Sequence, residues 1–173
     1  NVAAGAPAVP TTASVTQPTC AVPSGTIVFN AQANTEYSID NGSTYQSSPT
    51  FSGLAPGVYT LVARSTVDNT CATNAASTVT INAVPTAPVA PTTASVTQPT
   101  CAVPTGTIVI TTQTGVEYSV NNGFSYQASN TFPGLAPGSY ILVVRNTADN
   151  TCSATGSTSV IINAVPTAPI APT

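Results

Sequence analysis

The sequence predicts an all-β protein that consists of two copies of one small domain. Cys20 and Cys101 are 81 positions apart (101 − 20), and so are Cys71 and Cys152 (152 − 71). Within each copy, apolar and polar residues alternate over short stretches bounded by Gly, Pro and Asn, which is the pattern of strands and turns. No stretch has apolar residues at helical spacing. These three observations indicate a tandem array of β domains.

The repeat runs along the whole chain without an insertion. The segment "TCAVPSGTI" at 19–27 returns as "TCAVPTGTI" at 100–108, and Asn82 has counterparts at Asn1 and Asn163. The chain therefore holds two copies and the beginning of a third, as expected of an excerpt from a longer array. We predict a Pro-rich linker at 1–11, a repeat at 12–82, a linker at 83–92, a repeat at 93–163, and a linker at 164–173.

The linkers are rich in proline, as in "NAVPTAPVAP" at 82–91. Proline fixes φ and favours extended polyproline geometry, so we expect semi-rigid spacers. The Ala and Val residues between the prolines are expected to pack on a neighbouring unit.

Each strand of the first copy is predicted from period-two alternation. Ile27 with Phe29, and Tyr37 with Ile39, share faces in this way. The segments predicted as strands are 13–17, 25–31, 36–40, 49–54, 57–64 and 77–82. A count of about seven short strands per copy suits an immunoglobulin-like β-sandwich.

Two turn signals support the same fold. Asn41-Gly42 is a strong hairpin signal, because both residues tolerate positive φ. In "LAPGVY" at 54–59, Pro and Gly turn the chain. Tyr59 then begins the next strand, where its hydroxyl can bond to nearby backbone as a tyrosine corner.

Each copy carries two cysteines, and the chain has no His. A zinc site needs more ligands at close spacing. The cysteines of one copy are 51 positions apart (71 − 20), which suits a disulfide formed in an oxidising compartment. We expect the bonds Cys20–Cys71 and Cys101–Cys152, each clamping one pole of its domain and contributing about 4 kcal/mol on the chain-entropy account.

Two pairs of opposite charge recur, Glu36 with Arg64 and Glu117 with Arg145. Their strands, the third and sixth, are neighbours in an immunoglobulin-type sheet. We expect exposed cross-strand ion pairs that contribute about 0.2–1 kcal/mol each. An acid without His, Lys or a second carboxylate nearby has no general acid–base partner, so we expect no catalytic residues and no enzyme activity.

Asp68 and Asp149 precede the second cysteine of each copy in "DNTC". Calcium needs about six to eight oxygen ligands, usually from several carboxylates, and one Asp falls short. Asp40 is a weaker candidate, since its counterpart is Asn121. We expect Asp-stabilised turns at 68 and 149, with no metal and no cofactor.

Tyr45, Phe124 and Tyr126 follow the hairpin turns and are the candidate ligand or fibre contacts. If Asn41-Gly42 closes a two-residue loop, Tyr45 faces outward beside Ser38, where it can stack on a sugar ring or a neighbouring fibre. A bulge or a longer loop instead turns Tyr45 inward, and this is the arrangement we expect.

Composition excludes several classes of protein. Charged residues make up 4% of the chain, against about 25% in an average soluble domain. With two Arg and no Lys, the clustered positive charge that nucleic acid binding requires is missing. No apolar run approaches the roughly 20 residues of a membrane-spanning helix. Any signal peptide is expected to lie outside this fragment.

The ordered motifs resemble the SprB-type repeat of very large Bacteroidota cell-surface adhesins. The match consists of a cysteine shortly before "G-x-I", then "YSID-N-G", a "YQSS"-like run, "F-x-G-L-x-P-G-x-Y", and a cysteine after "R-x-x-x-D". It covers both copies apart from the linkers. The resemblance implies secretion to the cell surface and a role in adhesion or filament formation, and it does not imply catalysis.

The leading interpretation is a structural and adhesive stalk at the cell surface, with neighbouring repeats of the same chain as its partners. Few surface charges favour lateral association of copies into filaments. The alternatives are an array of carbohydrate-binding modules that bind surface glycans through Tyr45 and Tyr126, and a pilin-like subunit that donates its first strand to a neighbour.

Overall fold

The computed structural model describes residues 5–168, and every regular element in that range is a β-strand. The chain forms two compact units, Asn1–Pro85 and Thr86–Thr173, here unit 1 and unit 2. The boundary after Pro85 lies inside the predicted linker at 83–92. The predicted linkers at 1–11 and 164–173 extend beyond the described residues at both ends.

Within residues 5–168, each unit has eight short strands. Those of unit 1 are β1 (Thr12–Thr16), β2 (Gly25–Phe29), β3 (Thr35–Ser38), β4 (Thr50–Leu54), β5 (Gly57–Tyr59), β6 (Val62–Ser65), β7 (Ala72–Asn74) and β8 (Val79–Ile81). Those of unit 2 are β9 (Thr93–Thr97), β10 (Gly106–Ile110), β11 (Val116–Ser119), β12 (Thr131–Leu135), β13 (Gly138–Tyr140), β14 (Val143–Asn146), β15 (Ser153–Thr155) and β16 (Val160–Ile162).

The strands of each unit form three small antiparallel sheets. In unit 1 their orders are β1-β2-β4, β3-β6-β7 and β5-β8, and unit 2 repeats them as β9-β10-β12, β11-β14-β15 and β13-β16. The stretch 57–64, expected as one strand, is two strands, because the chain leaves β8 after Tyr59 and joins β3 from Val62 onward. Strand β7, which pairs with β6, was not predicted.

The core of unit 1 lies between its sheets and follows the predicted alternation. On β2, Ile27 and Phe29 are buried while the residues between and beside them are less so. Burial of a large aliphatic or aromatic side chain stabilises a fold by about 1.5–3 kcal/mol. The buried cluster consists of Ile27, Phe29, Tyr37, Leu61, Ala63 and Ile81.

Unit 2 has a separate core, drawn from its own residues. The buried cluster consists of Ile108, Ile110, Val116, Tyr118, Val120, Leu142, Val144 and Ile162. Each unit therefore closes a hydrophobic interior of its own.

The chain enters unit 1 beside the C-terminal end of β2. Thr12 pairs with Phe29, the last residue of that strand. The Asn30 backbone N–H then donates to Thr11 O at 2.9 Å. We name this end of the unit the proximal pole.

The chain leaves unit 1 beside the N-terminal end of β2. A Cβ placed on Gly25 would lie 2.7 Å from Ile81 Cγ2, so the close approach of β8 requires glycine there. The Asn82 backbone N–H donates to Gln17 Oε1 at 2.8 Å, just beyond the end of β1. We name this end the distal pole.

Unit 2 has the same two poles. The Thr111 N–H donates to Thr92 O at 2.8 Å at the proximal pole. The Asn163 N–H donates to Gln98 Oε1 at 2.8 Å at the distal pole. In both units the chain enters at one end of the second strand and leaves at the other.

The Pro-rich segment before each unit is bound to that unit. In unit 1, Thr73 Oγ1 donates to Pro7 O at 2.8 Å and Gln32 Nε2 donates to Ala8 O at 3.1 Å. In unit 2, Gln113 Nε2 makes the corresponding bond to Val89 O, and a bond without a counterpart in unit 1 runs from Asn146 Nδ2 to Thr86 O. Each Pro-rich segment is therefore docked on its unit through two backbone carbonyl groups.

The tyrosine corner is present in both units. Tyr59 Oη donates to Ala55 O at 2.7 Å, and Tyr140 Oη donates to Ala136 O at 2.7 Å. In unit 1 the bond ties Tyr59, the last residue of β5, to the "LAPG" turn before that strand. The predicted role of Tyr59 is confirmed.

Candidate functional site

Strands β3 and β6 bring together a Glu–Arg–Tyr cluster on the outer face of unit 1. Glu36 and Arg64 are directly opposite in the register of these strands. Arg64 Nε and Nη2 both donate to Glu36 Oε2, at 3.0 and 2.8 Å. The Arg64 guanidinium carbon also lies 3.8 Å from the centroid of the Tyr45 ring. The arginine is thus held on two sides, by a carboxylate and by an aromatic face.

Unit 2 builds the same cluster from its own residues. Arg145 donates to Glu117 Oε2 at 3.0 and 2.8 Å and lies 3.9 Å above the Tyr126 ring. The charged side chains are half-buried, at 27–30% exposure in both units, rather than fully exposed as expected. A cation–π contact contributes about 0.5–1 kcal/mol at such a site, and a partly exposed ion pair about the same or less.

The Glu–Arg–Tyr cluster can stabilise the sheet but is not equipped for proton transfer. Its carboxylate is engaged by the guanidinium, and proton transfer needs a second group that can gain or lose a proton near neutral pH. The Tyr45 ring presents one face to Arg64, so that face is not open to a sugar ring.

Tyr45 faces outward, contrary to the expected inward arrangement. Tyr37 and Gln46 pair with each other, which is the register of a two-residue loop at Asn41-Gly42. Asn41 has φ of 57° and Gly42 has φ of 85°, as a tight hairpin turn with two left-handed residues requires. No bulge shifts the strand, so Tyr45 stays on the face that carries Glu36.

The hairpin turn is held together by Ser38, a residue that sequence reasoning placed on the exposed face. Ser38 is fully buried. Its Oγ donates to Asp40 Oδ1 at 2.7 Å and accepts from the Gly42 N–H at 2.9 Å. A serine two residues before an Asp or Asn in both copies was the available signal, since such pairs form side-chain-stabilised turns.

Asp40 completes this turn. Thr44 donates to the carboxylate through Oγ1 at 2.5 Å and through its N–H at 2.9 Å. These hydrogen bonds, the Thr44 hydroxyl first, lower the pKa of Asp40 from 3.8 to about 2, because they favour the charged form.

The equivalent turn of unit 2 uses an amide. Asn121 Oδ1 accepts from Ser119 Oγ at 2.8 Å and from the Ser125 N–H at 3.0 Å, and Asn121 Nδ2 donates to Ser125 Oγ. Phe124, in the place of Ser43, is 93% exposed. Phe124 is therefore an outward-facing aromatic of the kind that the sequence proposed for ligand or fibre contact.

Asp68 and Asp149 stabilise turns in the same way. Asp68 Oδ1 accepts from Thr70 Oγ1 at 2.6 Å and from the Thr70 N–H at 3.0 Å, and these bonds lower the pKa of Asp68. Asp149 has the same two bonds to Thr151. This is the geometry expected of an Asp turn.

The cysteines of one unit lie at opposite poles. Cys20 belongs to the distal pole, where its Sγ is 3.2 Å from Pro85 O. Cys71 belongs to the proximal pole: its carbonyl accepts from the Ser65 N–H at 2.9 Å, and the next residue, Thr66, donates to Asn34 O in the loop after β2. Strand β2 separates the poles by roughly 13 Å at 3.3 Å per residue, whereas a disulfide needs Cα atoms within about 7 Å.

The expected within-unit bonds Cys20–Cys71 and Cys101–Cys152 are accordingly not formed. Cys20 and Cys152 are both in the disulfide form, while Cys101 carries an exposed thiol. The physical reason is strand direction. Strands β2 and β6 run the same way, so a cysteine before β2 and a cysteine after β6 fall at opposite ends of the unit.

No protein-family model matches the chain, and the comparison with curated proteins found no match. The resemblance to the SprB-type repeat stays a prediction. Within residues 5–168, no helix is long and apolar enough to cross a membrane.

Proposed function

We propose that the chain is a non-catalytic structural and adhesive repeat of a long extracellular filament or adhesin stalk. The observation that carries the proposal is that each unit takes in the chain at its proximal pole and releases it at its distal pole. Units joined in this way add length with each copy, whereas units with both termini at one end would not.

Self-contained cores favour the same function. Each unit buries its own apolar cluster, so an array can be lengthened without a new folding problem. The docked Pro-rich segments add stiffness, because proline restricts the backbone and the hydrogen bonds of Gln32 and Gln113 hold the spacer on the following unit.

The strand orders support an immunoglobulin-like sandwich. A sheet of the first, second and fourth strands faces a sheet of the third, sixth and seventh, which corresponds to the A-B-E and C-F-G sheets of that fold. The tyrosine corner belongs to the same architecture.

The surface and the cysteines suit an extracellular location. Charged residues make up 4% of the chain, so copies repel one another little and lateral bundling is favoured. Disulfides persist in oxidising compartments, and Cys20 and Cys152 are in that form. The resemblance to SprB-type repeats points to the same place and role.

Electron microscopy with antibodies raised against the chain tests this proposal. We expect gold label along thin extracellular threads with an axial period on the order of 40–50 Å, from the strand lengths and the partly docked spacer. Label confined to the cell interior, or to isolated globular particles, would contradict it.

A carbohydrate-binding array is the second candidate, favoured by the 93% exposure of Phe124. Aromatic rings that lie open to solvent can stack on sugars. Glycan binding that disappears in Phe124→Ala and Tyr126→Ala, and persists in a Val58→Ala control, would establish it. Strand donation is less favoured, because β1 pairs with β2 of its own unit along its length.

A further inference from the structure

An Asn-Gly pair lies at the tip of the hairpin turn in each unit. Asn41-Gly42 and Asn122-Gly123 are the two such pairs of the sequence, and both asparagines are exposed. Asparagine before glycine is especially prone to spontaneous deamidation, because glycine has no side chain to hinder attack by its backbone nitrogen on the asparagine amide. The two turns are therefore the places where chemical damage to this chain is expected first.

Deamidation of Asn41 consumes one water and releases one ammonia. The Gly42 nitrogen loses its proton and attacks Asn41 Cγ, so that a new N–Cγ bond closes a five-membered imide ring and the Cγ–Nδ2 bond breaks as ammonia leaves. Water then adds to one of the two imide carbonyls. Opening at Cγ leaves aspartate, whereas opening at the Asn41 backbone carbonyl leaves isoaspartate, which inserts a methylene group into the main chain.

The turn holds each asparagine in a backbone conformation that cannot close this ring. A flat five-membered ring needs the glycine nitrogen on the same side of the asparagine Cα–C bond as Cβ. Asn41 and Asn122 both have φ of 57°, which is the left-handed region, where ψ is about +30 to +60°. In an L-residue this ψ turns the next nitrogen to the side opposite Cβ, so the peptide has to rotate before deamidation can start.

A buried serine opposes this rotation. Rotation about the Asn41 Cα–C bond carries the Gly42 N–H with it, and that N–H donates to Ser38 Oγ at 2.9 Å. Ser119 Oγ accepts from the Gly123 N–H at 3.0 Å in the same way. Both serines are 0% exposed, so the hydrogen bond has to break before the peptide can turn. The bond also favours the protonated nitrogen, whereas attack on the side chain needs the proton removed.

The reactive pair is itself required by the turn. Gly42 and Gly123 have φ of 85° and 80°, a conformation that other residues rarely adopt. A Cβ on Gly42 would also lie 2.9 Å from Tyr45 Oη, and one on Gly123 would lie 2.7 Å from Tyr126 Oη. Protection against deamidation therefore has to come from the conformation of the turn rather than from a bulkier residue after the asparagine.

We propose that Ser38 and Ser119 are positioning residues that suppress deamidation of Asn41 and Asn122. The two asparagines are modification sites that become reactive when the hydrogen bond from glycine to serine opens. This chemistry goes beyond the adhesive function, since a chain without that function would have the same reactive pairs.

The test incubates the full chain in mildly alkaline buffer and follows both sites by peptide mapping that separates asparagine, aspartate and isoaspartate. The wild-type chain in urea at the same pH gives the unrestrained rates, and both sites of the folded chain should react more slowly. Ser38→Ala should raise the rate at Asn41 by about 2- to 10-fold, as expected for the loss of one hydrogen bond, and leave Asn122 unchanged. Ser119→Ala is the matched variant and should accelerate Asn122 alone.

Ile81→Val separates the effect of the serine hydrogen bond from a general loss of stability. It removes one methyl group from the core of unit 1 and should lower the free energy of unfolding by a similar amount, yet leave Asn41 at the wild-type rate. Circular dichroism checks that each variant folds. If Ser38→Ala does not fold, Ser119→Ala and the comparison of folded with urea-treated wild type decide the matter.

Three results would overturn the proposal. The first is a folded wild-type chain that deamidates as fast as the chain in urea. The second is a folded serine variant whose rate at the neighbouring asparagine equals that of wild type. The third is an equal acceleration at Asn41 in Ile81→Val and Ser38→Ala, which would assign the effect to stability alone.

Discussion

Units 1 and 2 fill equivalent cores with different residues. Phe29 on β2 is matched by the smaller Ile110, and Ala63 on β6 is matched by the larger Val144. All four side chains are at most 2% exposed. In unit 1 the larger of the two alternative residues is therefore on β2 and the smaller on β6. In unit 2 the smaller is on β10 and the larger on β14.

The two units therefore keep the volume between the sheets more closely than the identity of the side chains that fill it. Close-packed cores tolerate substitutions that keep total volume and penalise those that change it. In unit 1 the Phe29 ring packs against two other aromatic rings. Its centroid lies 4.8 Å from that of Tyr37 and 5.6 Å from that of Phe51.

The same exchange occurs on the surface. Val58 pairs with Thr80 across β5 and β8, while the equivalent pair of unit 2 is Ser139 with Ile161. The apolar residue is on β5 in unit 1 and on β16, the counterpart of β8, in unit 2. Each unit therefore has one apolar and one hydroxyl-bearing residue at this cross-strand position.

The largest effect is expected from Phe29→Ala. The loss of a buried ring leaves a cavity and should lower the free energy of unfolding of unit 1 by about 3–5 kcal/mol. Hydrogen exchange read by mass spectrometry, peptide by peptide along the full chain, measures this. Peptides of unit 2 should keep their protection, because their core is separate. Equal loss of protection in both units would mean that the cores are coupled.

Exchanging these core residues between the units tests whether the two positions share space. Phe29→Ile alone should cost about 1–2 kcal/mol from the space it leaves, and Ala63→Val alone about 1–3 kcal/mol from overpacking. The double variant should cost less than the sum by about 0.5–3 kcal/mol. Ile110→Phe with Val144→Ala is the matched exchange in unit 2. Strict additivity in both units would show that the two positions do not share space.

Alternation and the repeat predict much of this fold from the sequence. Ile27 was expected to share a face with Phe29, and Tyr37 with Ile39. All four lie in or against the core of unit 1, because period-two alternation is a local property of a strand. Strand β7, at 72–74, has no apolar alternation and is recognisable only through its pairing with β6. The break between β5 and β6 likewise depends on which strand is the neighbour.

The site was predicted less well for the same reason. The pairing of Glu36 with Arg64 followed from strand order, and the structure places them together. The cysteine pairing depends on the direction of the strands across the unit. The number of residues between Cys20 and Cys71 does not show that the two cysteines lie at opposite poles. The stacking of Arg64 on Tyr45 required the register of the hairpin.

The smallest effect is expected from Asp40→Asn, which gives unit 1 the turn chemistry of unit 2. The folded-state pKa of Asp40 is lowered to about 2. Its contribution is therefore present above the unfolded value of 3.8 and is lost as pH falls toward 2. The carboxylate is exposed, so at neutral pH the variant should lose less than about 1 kcal/mol.

Unfolding of the full chain by denaturant, repeated between pH 5 and pH 2, measures this contribution. The difference between wild type and Asp40→Asn should shrink across that interval. Asn121→Asp is the matched control and should introduce the same pH dependence into unit 2. A difference that does not change with pH would show that the Thr44 hydrogen bonds do not favour the charged carboxylate.

Mechanical unfolding of single molecules in reducing buffer tests most directly that the chain is two self-contained units. With the disulfide reduced, the account predicts two separate unfolding steps. Each should release about 200–250 Å of chain, as expected for some 70 residues at roughly 3.5 Å each. A single step that releases both units together would contradict the account.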